Sequence, residues 1–168
     1  TQVTREDSDA IFAYLHSLPA AAEANRDHAL RFPYNTQAAL GVWRALFFTP
    51  GAPQPEPTQS AEYNRGAYLV NGLGHCTACH TPRNALGATT DAKAFTGGLI
   101  PVQNWYAPAL NAAHEAGVKE WATDDVVALL KTGVAPQGSV QGPMAEVVIR
   151  STQYLSDADA RAMAVYLQ

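Results

Sequence analysis

The chain has 168 residues, 47% of them hydrophobic, and a net charge of −4. That is enough apolar material for one core of ordinary size, and it gives no basic footprint for nucleic acid. No run of ~20 apolar residues is present to span a membrane, and the residues from Thr1 onward do not read as a charged and apolar leader.

In chain order, Thr4-Arg5-Glu6-Asp7 opens a helical run that ends in Ala13-Tyr14-Leu15. A hydroxyl with an acid three residues on resembles a capping box. Thr36 to Phe48 has helical spacing, with Ala39, Val42, Trp43, Leu46 and Phe47 as its apolar stripe and Asn35 or Thr36 available as cap. Thr49 to Ser60 reads TPGAPQPEPTQS. Its prolines, at 50, 53, 55 and 57, fix the backbone and remove amide donors, so the segment is predicted to be an extended linker. Glu62 to Leu73 reads as a helix running into Cys76-Thr77-Ala78-Cys79-His80. Asn84 to Ala122, rich in Gly, Pro, Asn and Thr, reads as loops and turns with little strand. Asp124 to Thr132 is predicted to be a helix with Thr123 as N-cap, two acids in its first turn and Gly133 after its end. Gly142 and Pro143, just before Met144, favour a turn there. Ser156-Asp157-Ala158-Asp159 opens a closing helix through Val165-Tyr166-Leu167. The predicted class is all-α.

The first and last helices share a pattern. Aligning Tyr14 with Tyr166 also aligns Thr4 with Ser156, Asp7 with Asp159, Ala10 with Ala162 and Ile11 with Met163. One domain does not normally end twice. Thr1 to about Leu18 is therefore read as the closing helix of a preceding, similar domain. The alternative is chance similarity between two alanine-rich amphipathic helices.

The pattern C-x-x-C-H at Cys76, Cys79 and His80 is that of c-type haem attachment. Two thiols add across the haem vinyl groups to give thioethers, and the next residue offers an imidazole to the iron. These are the chain's only two cysteines. A structural zinc site usually needs four ligands, and the second pair is missing. A thioredoxin-like thiol pair needs a strand before the motif, where a helical pattern stands instead. His80 is the proximal ligand by position, and its second ring nitrogen needs an acceptor, usually a backbone carbonyl.

The sixth ligand must come from elsewhere in the chain. Of the two methionines, Met163 lies beside Val165, Tyr166 and Leu167 and reads as core filler. Met144 follows a Gly-Pro turn that can aim its thioether at iron, a pairing that raises the reduction potential. The alternative is a loop methionine packed against the haem edge without binding. His75 touches the motif in sequence and is not expected to reach the opposite face. His114, His16 and His28 read as solvated.

On these residues a family resemblance follows. Tyr63 to Leu167 resembles a class I cytochrome c domain: entry helix, C-x-x-C-H, a loop with proline, a distal methionine and a closing helix. More narrowly, Asn64-Arg65-Gly66-Ala67-Tyr68-Leu69-Val70, Gly74-His75-Cys76-Thr77-Ala78-Cys79-His80-Thr81-Pro82-Arg83-Asn84 and Gly142-Pro143-Met144-Ala145-Glu146-Val147-Val148 resemble the multihaem cytochrome c subunits of bacterial membrane-associated dehydrogenases. Such subunits serve alcohol, gluconate, aldehyde or N-heterocycle dehydrogenases and usually carry three haem domains in tandem. Arg31-Phe32-Pro33-Tyr34-Asn35 and Trp43-Arg44-Ala45-Leu46-Phe47-Phe48 are similar to the connector between the first and second of those domains. The sequence departs from the family in having one haem motif rather than several.

The resemblance implies a cytochrome c fold, helices and long loops wrapped around one covalent haem c. Its layout would be a connector over 1–48 that includes the closing helix of a preceding cytochrome domain, a Pro-rich linker over 49–60 and a haem domain over 61–168. It implies that the Pro108 carbonyl accepts from the proximal histidine, and that Arg83, Trp105 and Tyr106 lie near the haem edge and propionates, where simple packing is the alternative for both aromatics. Gly66 and Tyr166 match the crossing of entry and closing helices. The implied function is electron transfer, not enzymatic catalysis. The implied partners are a dehydrogenase subunit and neighbouring haem domains, or a quinone or oxidase acceptor, in the periplasm. Membrane association would come only through parts of a longer subunit. The rivals are a free soluble monohaem carrier and a haem enzyme or sensor with an open sixth site.

Overall fold

The computed structural model describes residues 2–101 and 103–168, and the division between its two compact units falls after Pro53. In the first unit, helix α1 (Arg5–Ser17) starts where the Thr4 hydroxyl accepts from the Asp7 amide at 3.2 Å. Helix α2 (Gln37–Phe47) starts where Thr36 does the same for Ala39 at 3.3 Å. Each cap satisfies a donor that the first helical turn leaves without a partner. Neither helix buries a residue. On α1, Ile11 and Tyr14 remain 46% and 64% exposed.

The second unit opens with α3 (Ala61–Tyr68), capped by Ser60 on the Tyr63 amide. The helix predicted over Glu62 to Leu73 is present, but its last turn widens to a π-turn over Leu69–Leu73. The Gly74 amide donates five residues back to Leu69 at 2.7 Å, which keeps Leu69 and Val70 in the core and delivers the chain to the motif. The motif itself forms one short helix, α4 (Thr77–His80).

Most of 84–122 is irregular, as expected, with one addition. Strands β1 (Gly98–Ile100) and β2 (Trp105–Ala107) pair antiparallel, Gly98 opposite Ala107 and Ile100 opposite Trp105. Three-residue strands are too short to show an alternating pattern in sequence. Helix α5 (Thr123–Thr132) begins one residue earlier than predicted. Ala122 occupies the cap position and Thr123 is already helical, its hydroxyl donating to the Gln168 side chain at 2.8 Å. Gly133 ends α5 in the left-handed conformation, φ 76°, where glycine carries no Cβ penalty. A second small pair, β3 (Val134–Ala135) and β4 (Gly138–Ser139), follows. Helices α6 (Pro143–Arg150) and α7 (Asp157–Leu167) complete the unit, the latter capped by Ser156 on the Asp159 amide. The regular structure among the described residues is thus mainly helical, with two short strand pairs.

Helices α3 and α7 cross at Gly66. A Cβ added there would lie 1.9 Å from the Ala162 carbonyl oxygen and 2.8 Å from Tyr166 Cβ, so the two backbones touch at a point only glycine permits. The Tyr63 and Tyr166 rings meet edge to face beside it, centroids 5.1 Å apart. Leu69, Val70, Val118, Val126, Leu130, Met163 and Ala164 form the buried core behind the crossing. Arg65–Asp159, Arg161–Glu62 and Lys131–Asp157 ion pairs lie on its surface. Pairs this exposed contribute little to stability. Among the described residues, no helix is long and apolar enough to cross a membrane.

Candidate haem-attachment site

The motif is held by its backbone from both sides. The Cys76 amide donates to Val70 in the π-turn at 2.9 Å, and the His80 amide donates to the Cys76 carbonyl at 3.1 Å. His75, just before it, has φ 36°, which turns the chain sharply into α4. Cys76 and Cys79 are half-buried, and both thiols are free. At three residues apart they lie on one face of the short helix. Burial, with some help from the neighbouring Cys79, pushes the Cys76 thiol up to about 11, so in the bare polypeptide it is neutral at physiological pH.

Burial also lowers the His80 imidazole below its usual value, opposed by the Pro108 carbonyl. Nδ1 of His80 lies 2.8 Å from that oxygen. A carbonyl can only accept, so the neutral ring donates through Nδ1–H and keeps the lone pair on Nε2 free for a metal.

The segment after the motif wraps back over it. Gly97 donates to the His80 carbonyl at 3.0 Å, and the Phe95 amide donates to the Thr81 hydroxyl at 3.2 Å. A Cβ on Gly98 would come within 2.8 Å of the Thr81 carbonyl oxygen. The β1–β2 ribbon that starts there reaches the segment before Met144 at its other end. The Trp105 indole lies so close to Gly142 that a Cβ would meet it at 2.7 Å. Gly142 has φ 52° and ψ −133°, a conformation reserved for glycine. Pro143 follows as an N-terminal helical residue. Met144 therefore stands in the first turn of α6, where the sequence suggested an open turn, and is half-buried. Proline early in a helix costs no hydrogen bond, which is why a Gly-Pro pair begins a helix here.

The other candidate residues fall as follows. Arg83 donates to the Ala78 carbonyl at 3.0 Å and the Gly87 carbonyl at 2.8 Å, tying the chain after the motif to α4. Trp105 and Tyr106 are 47% and 56% exposed. The Tyr106 hydroxyl donates to the Glu115 carboxylate at 3.2 Å. Met163 is buried in the core, and His16, His28, His75 and His114 are exposed. Glu115 carried no signal in the sequence beyond being a lone acid in a polar loop, yet it also accepts from the Ala109 amide at 2.6 Å.

Several features fit a haem. Two free thiols stand one turn apart, and a neutral imidazole has its lone pair uncommitted. The thioether segment is coupled to the motif through one ribbon. Large apolar side chains remain uncovered on or near that ribbon and the motif, Leu73, Leu99 and Trp105 among them.

No protein-family model matches the chain. Curated relatives do. The chain is 41% identical over 162 residues to a subunit of the nicotinate dehydrogenase of Pseudomonas putida, an alignment spanning 96% of this chain and 13% of that protein. It is 38% identical over 176 residues to the cytochrome c subunit of the quinone alcohol dehydrogenase of Gluconacetobacter polyoxogenes, spanning 100% and 37%. It is 38% identical over 169 residues to a dihaem c-type cytochrome of Cereibacter sphaeroides, spanning 99% and 54%. The chain thus spans between about an eighth and a half of the length of these relatives. Identity at this level along nearly the whole chain, together with the helical fold around C-x-x-C-H, means that the chain belongs to the c-type cytochrome family that includes the cytochrome c subunits of bacterial dehydrogenases.

Proposed function

We propose that this chain is an electron-transfer domain of a larger cytochrome c subunit. It would hold one haem c, attached through Cys76 and Cys79, with His80 and Met144 as its iron ligands. The observation that most supports this is the His80 ring, whose Nδ1 is committed to the Pro108 carbonyl at 2.8 Å while Nε2 is left free beside two unpaired thiols. Haem, when bound, supplies a one-electron ferric–ferrous couple.

The chain's residues do the rest. Cys76 and Cys79 tether the group, so a small domain keeps it even when it loosens. Pro108 fixes the orientation and tautomer of His80. Met144, carried on the start of α6 rather than on an irregular loop, contributes a soft thioether that favours the reduced state. With His80 and Met144 both holding the iron, the group would supply electron transfer without an open position for a substrate. Trp105, through its indole N–H, and Arg83, through the guanidinium donors not given to Ala78 and Gly87, would serve the propionate edge, whereas the Tyr106 hydroxyl has its one proton on Glu115 and would only pack there.

Residues 1–48 act as the connector from a preceding cytochrome domain, 49–60 as linker and 61–168 as the haem domain. The support is that α1 has the cap and stripe of α7, with Ile11 and Tyr14 exposed where Met163 and Tyr166 of α7 meet the core. The subunit would take electrons from a dehydrogenase in the periplasm, through neighbouring haem domains, and pass them to a quinone or oxidase acceptor. The relatives' names support a dehydrogenase partner.

Met144→Ala tests the ligation. The substitution is expected to abolish the methionine–iron charge-transfer band of the ferric protein. It should also lower the reduction potential by roughly 0.1 V or more, within the ~0.8 V span that axial ligands control. Unchanged spectrum and potential would remove Met144 from the iron.

A further inference from the structure

Among the described residues, the Pro108 carbonyl is the protein group bonded to the proximal imidazole, and proline has no N–H with which to anchor itself. Its position therefore depends on the next residue. Ala109 is 3% exposed, and both its backbone groups are tied to one short stretch. Its amide donates to Glu115 Oε2 at 2.6 Å, and its carbonyl accepts from the Ala116 amide at 3.1 Å. The same Oε2 accepts from the Tyr106 hydroxyl at 3.2 Å, so one carboxylate clamps residues on both sides of Pro108. The Glu115 side chain is only 26% exposed, and the His114 imidazole 3.8 Å away lies largely in solvent.

The clamp closes a circuit around His80. Tyr106 Oη sits against Gly97, where an added Cβ would lie 2.4 Å from it, and Gly97 donates to the His80 carbonyl at 3.0 Å. Gly97 has φ 81°, which allows the close approach. His80 is thus fixed through its ring by Pro108 and through its carbonyl by Gly97, and Glu115 meets both arms. A hydrogen bond from an amide to a carboxylate is among the stronger ones in proteins, and 2.6 Å is at the short end for such a pair.

We propose that Glu115 is a positioning residue for the proximal ligand: by holding Ala109 and Tyr106 it sets the His80–Pro108 hydrogen bond and so tunes the electron-donating strength of the imidazole. This rests on His80 being the proximal haem ligand, as proposed for the function. A well-aligned Nδ1–H···O=C bond makes the imidazole a better donor and favours ferric iron. Loss of the clamp weakens that bond and raises the reduction potential.

Two variants of the haem-loaded protein separate positioning from simple loss of charge. Glu115→Gln removes the charge but keeps a carbonyl oxygen that accepts from both Ala109 and Tyr106. Glu115→Ala removes the acceptor as well. The expected result is a potential that rises in both, further in Glu115→Ala. In Glu115→Ala alone, exchange of the His80 Nδ1 proton, followed by NMR in the ferrous state, should speed up by about tenfold or more, the size expected for losing a bond to a charged group. Amides of α7 should keep their protection in both variants, which reports on folding separately. Equal potentials in the two variants, with Nδ1 exchange at the wild-type rate, would overturn the proposal. Failure of the haem-ligand reading shows differently: wild-type protein would then carry no thioether-bound haem, or none ligated by His80.

Discussion

Gly66→Ala puts the close crossing of α3 and α7 to the test. The added methyl would stand 1.9 Å from the Ala162 carbonyl oxygen and 2.6 Å from its carbon. Ordinary carbon contacts lie near ~3.5 Å or beyond, so α3 and α7 must part by roughly 1 Å or more. The obstacle is backbone on a helix fixed by its own hydrogen bonds, and no side-chain rotation relieves it. Overpacking of this kind costs about 3 kcal/mol. Alanine's better helix propensity returns about 1 kcal/mol, leaving about 2 kcal/mol of net destabilisation. That corresponds to a melting temperature lower by roughly 8 °C for a domain of this size. Thermal denaturation of the haem-loaded protein, followed by far-UV circular dichroism, measures it. A melting temperature equal to or above wild type would mean that propensity dominates, and the reasoning about the crossing would be wrong.

Gly142→Ala strains a backbone at φ 52° and drives a methyl into the Trp105 indole. Its expected effect is local: weaker methionine–iron absorption in the ferric protein with helical content retained, and a wild-type spectrum would contradict it. The hydrogen bonds from Arg65 to Asp159 and from Lys131 to Asp157 hold both carboxyls below their usual range. The folded state therefore binds protons less readily than the unfolded chain, and the stability from these pairs, complete at neutral pH, is lost as pH falls below about 4. Asp159→Asn should lower neutral stability by up to about 1 kcal/mol and flatten the acid limb of a stability–pH curve; an unaltered limb would contradict the pairing. Gly133→Ala, at φ 76°, should cost about 1 kcal/mol by the loss of a left-handed helix end, read from guanidinium denaturation, and no change would show that the turn adapts.

What the sequence disclosed about this fold was what local chemistry controls. The hydroxyl caps at Thr4 and Ser156 stand where predicted, because a short polar side chain before an apolar run has few better uses. Thr123 shows the limit of that logic. It resembles a cap, but the Gln168 side chain at the far end of the chain claims its hydroxyl, and Ala122 takes the cap position unaided. The π-turn at Leu69–Leu73 was hidden because its pattern of apolar residues is the same as that of an α-helix, and only the hydrogen bond from Gly74 five residues back to Leu69 distinguishes it. At the site, the motif is legible because covalent attachment demands contiguous residues. The groups that hold it are not contiguous: Pro108 lies 28 residues from His80, and Glu115 acts through a backbone amide, which leaves no trace in residue identity at the position it grips.

The proposed electron transfer depends on one haem bound covalently through Cys76 and Cys79. Intact-mass measurement on denatured protein, produced in cells able to attach c-type haem, examines that bond itself when combined with thiol titration. Covalent attachment predicts a mass gain of one haem that survives acid extraction, no titratable thiol, and loss of the stable adduct in the Cys76→Ala, Cys79→Ala double variant. A folded protein with two free thiols and the mass of the bare polypeptide would contradict it.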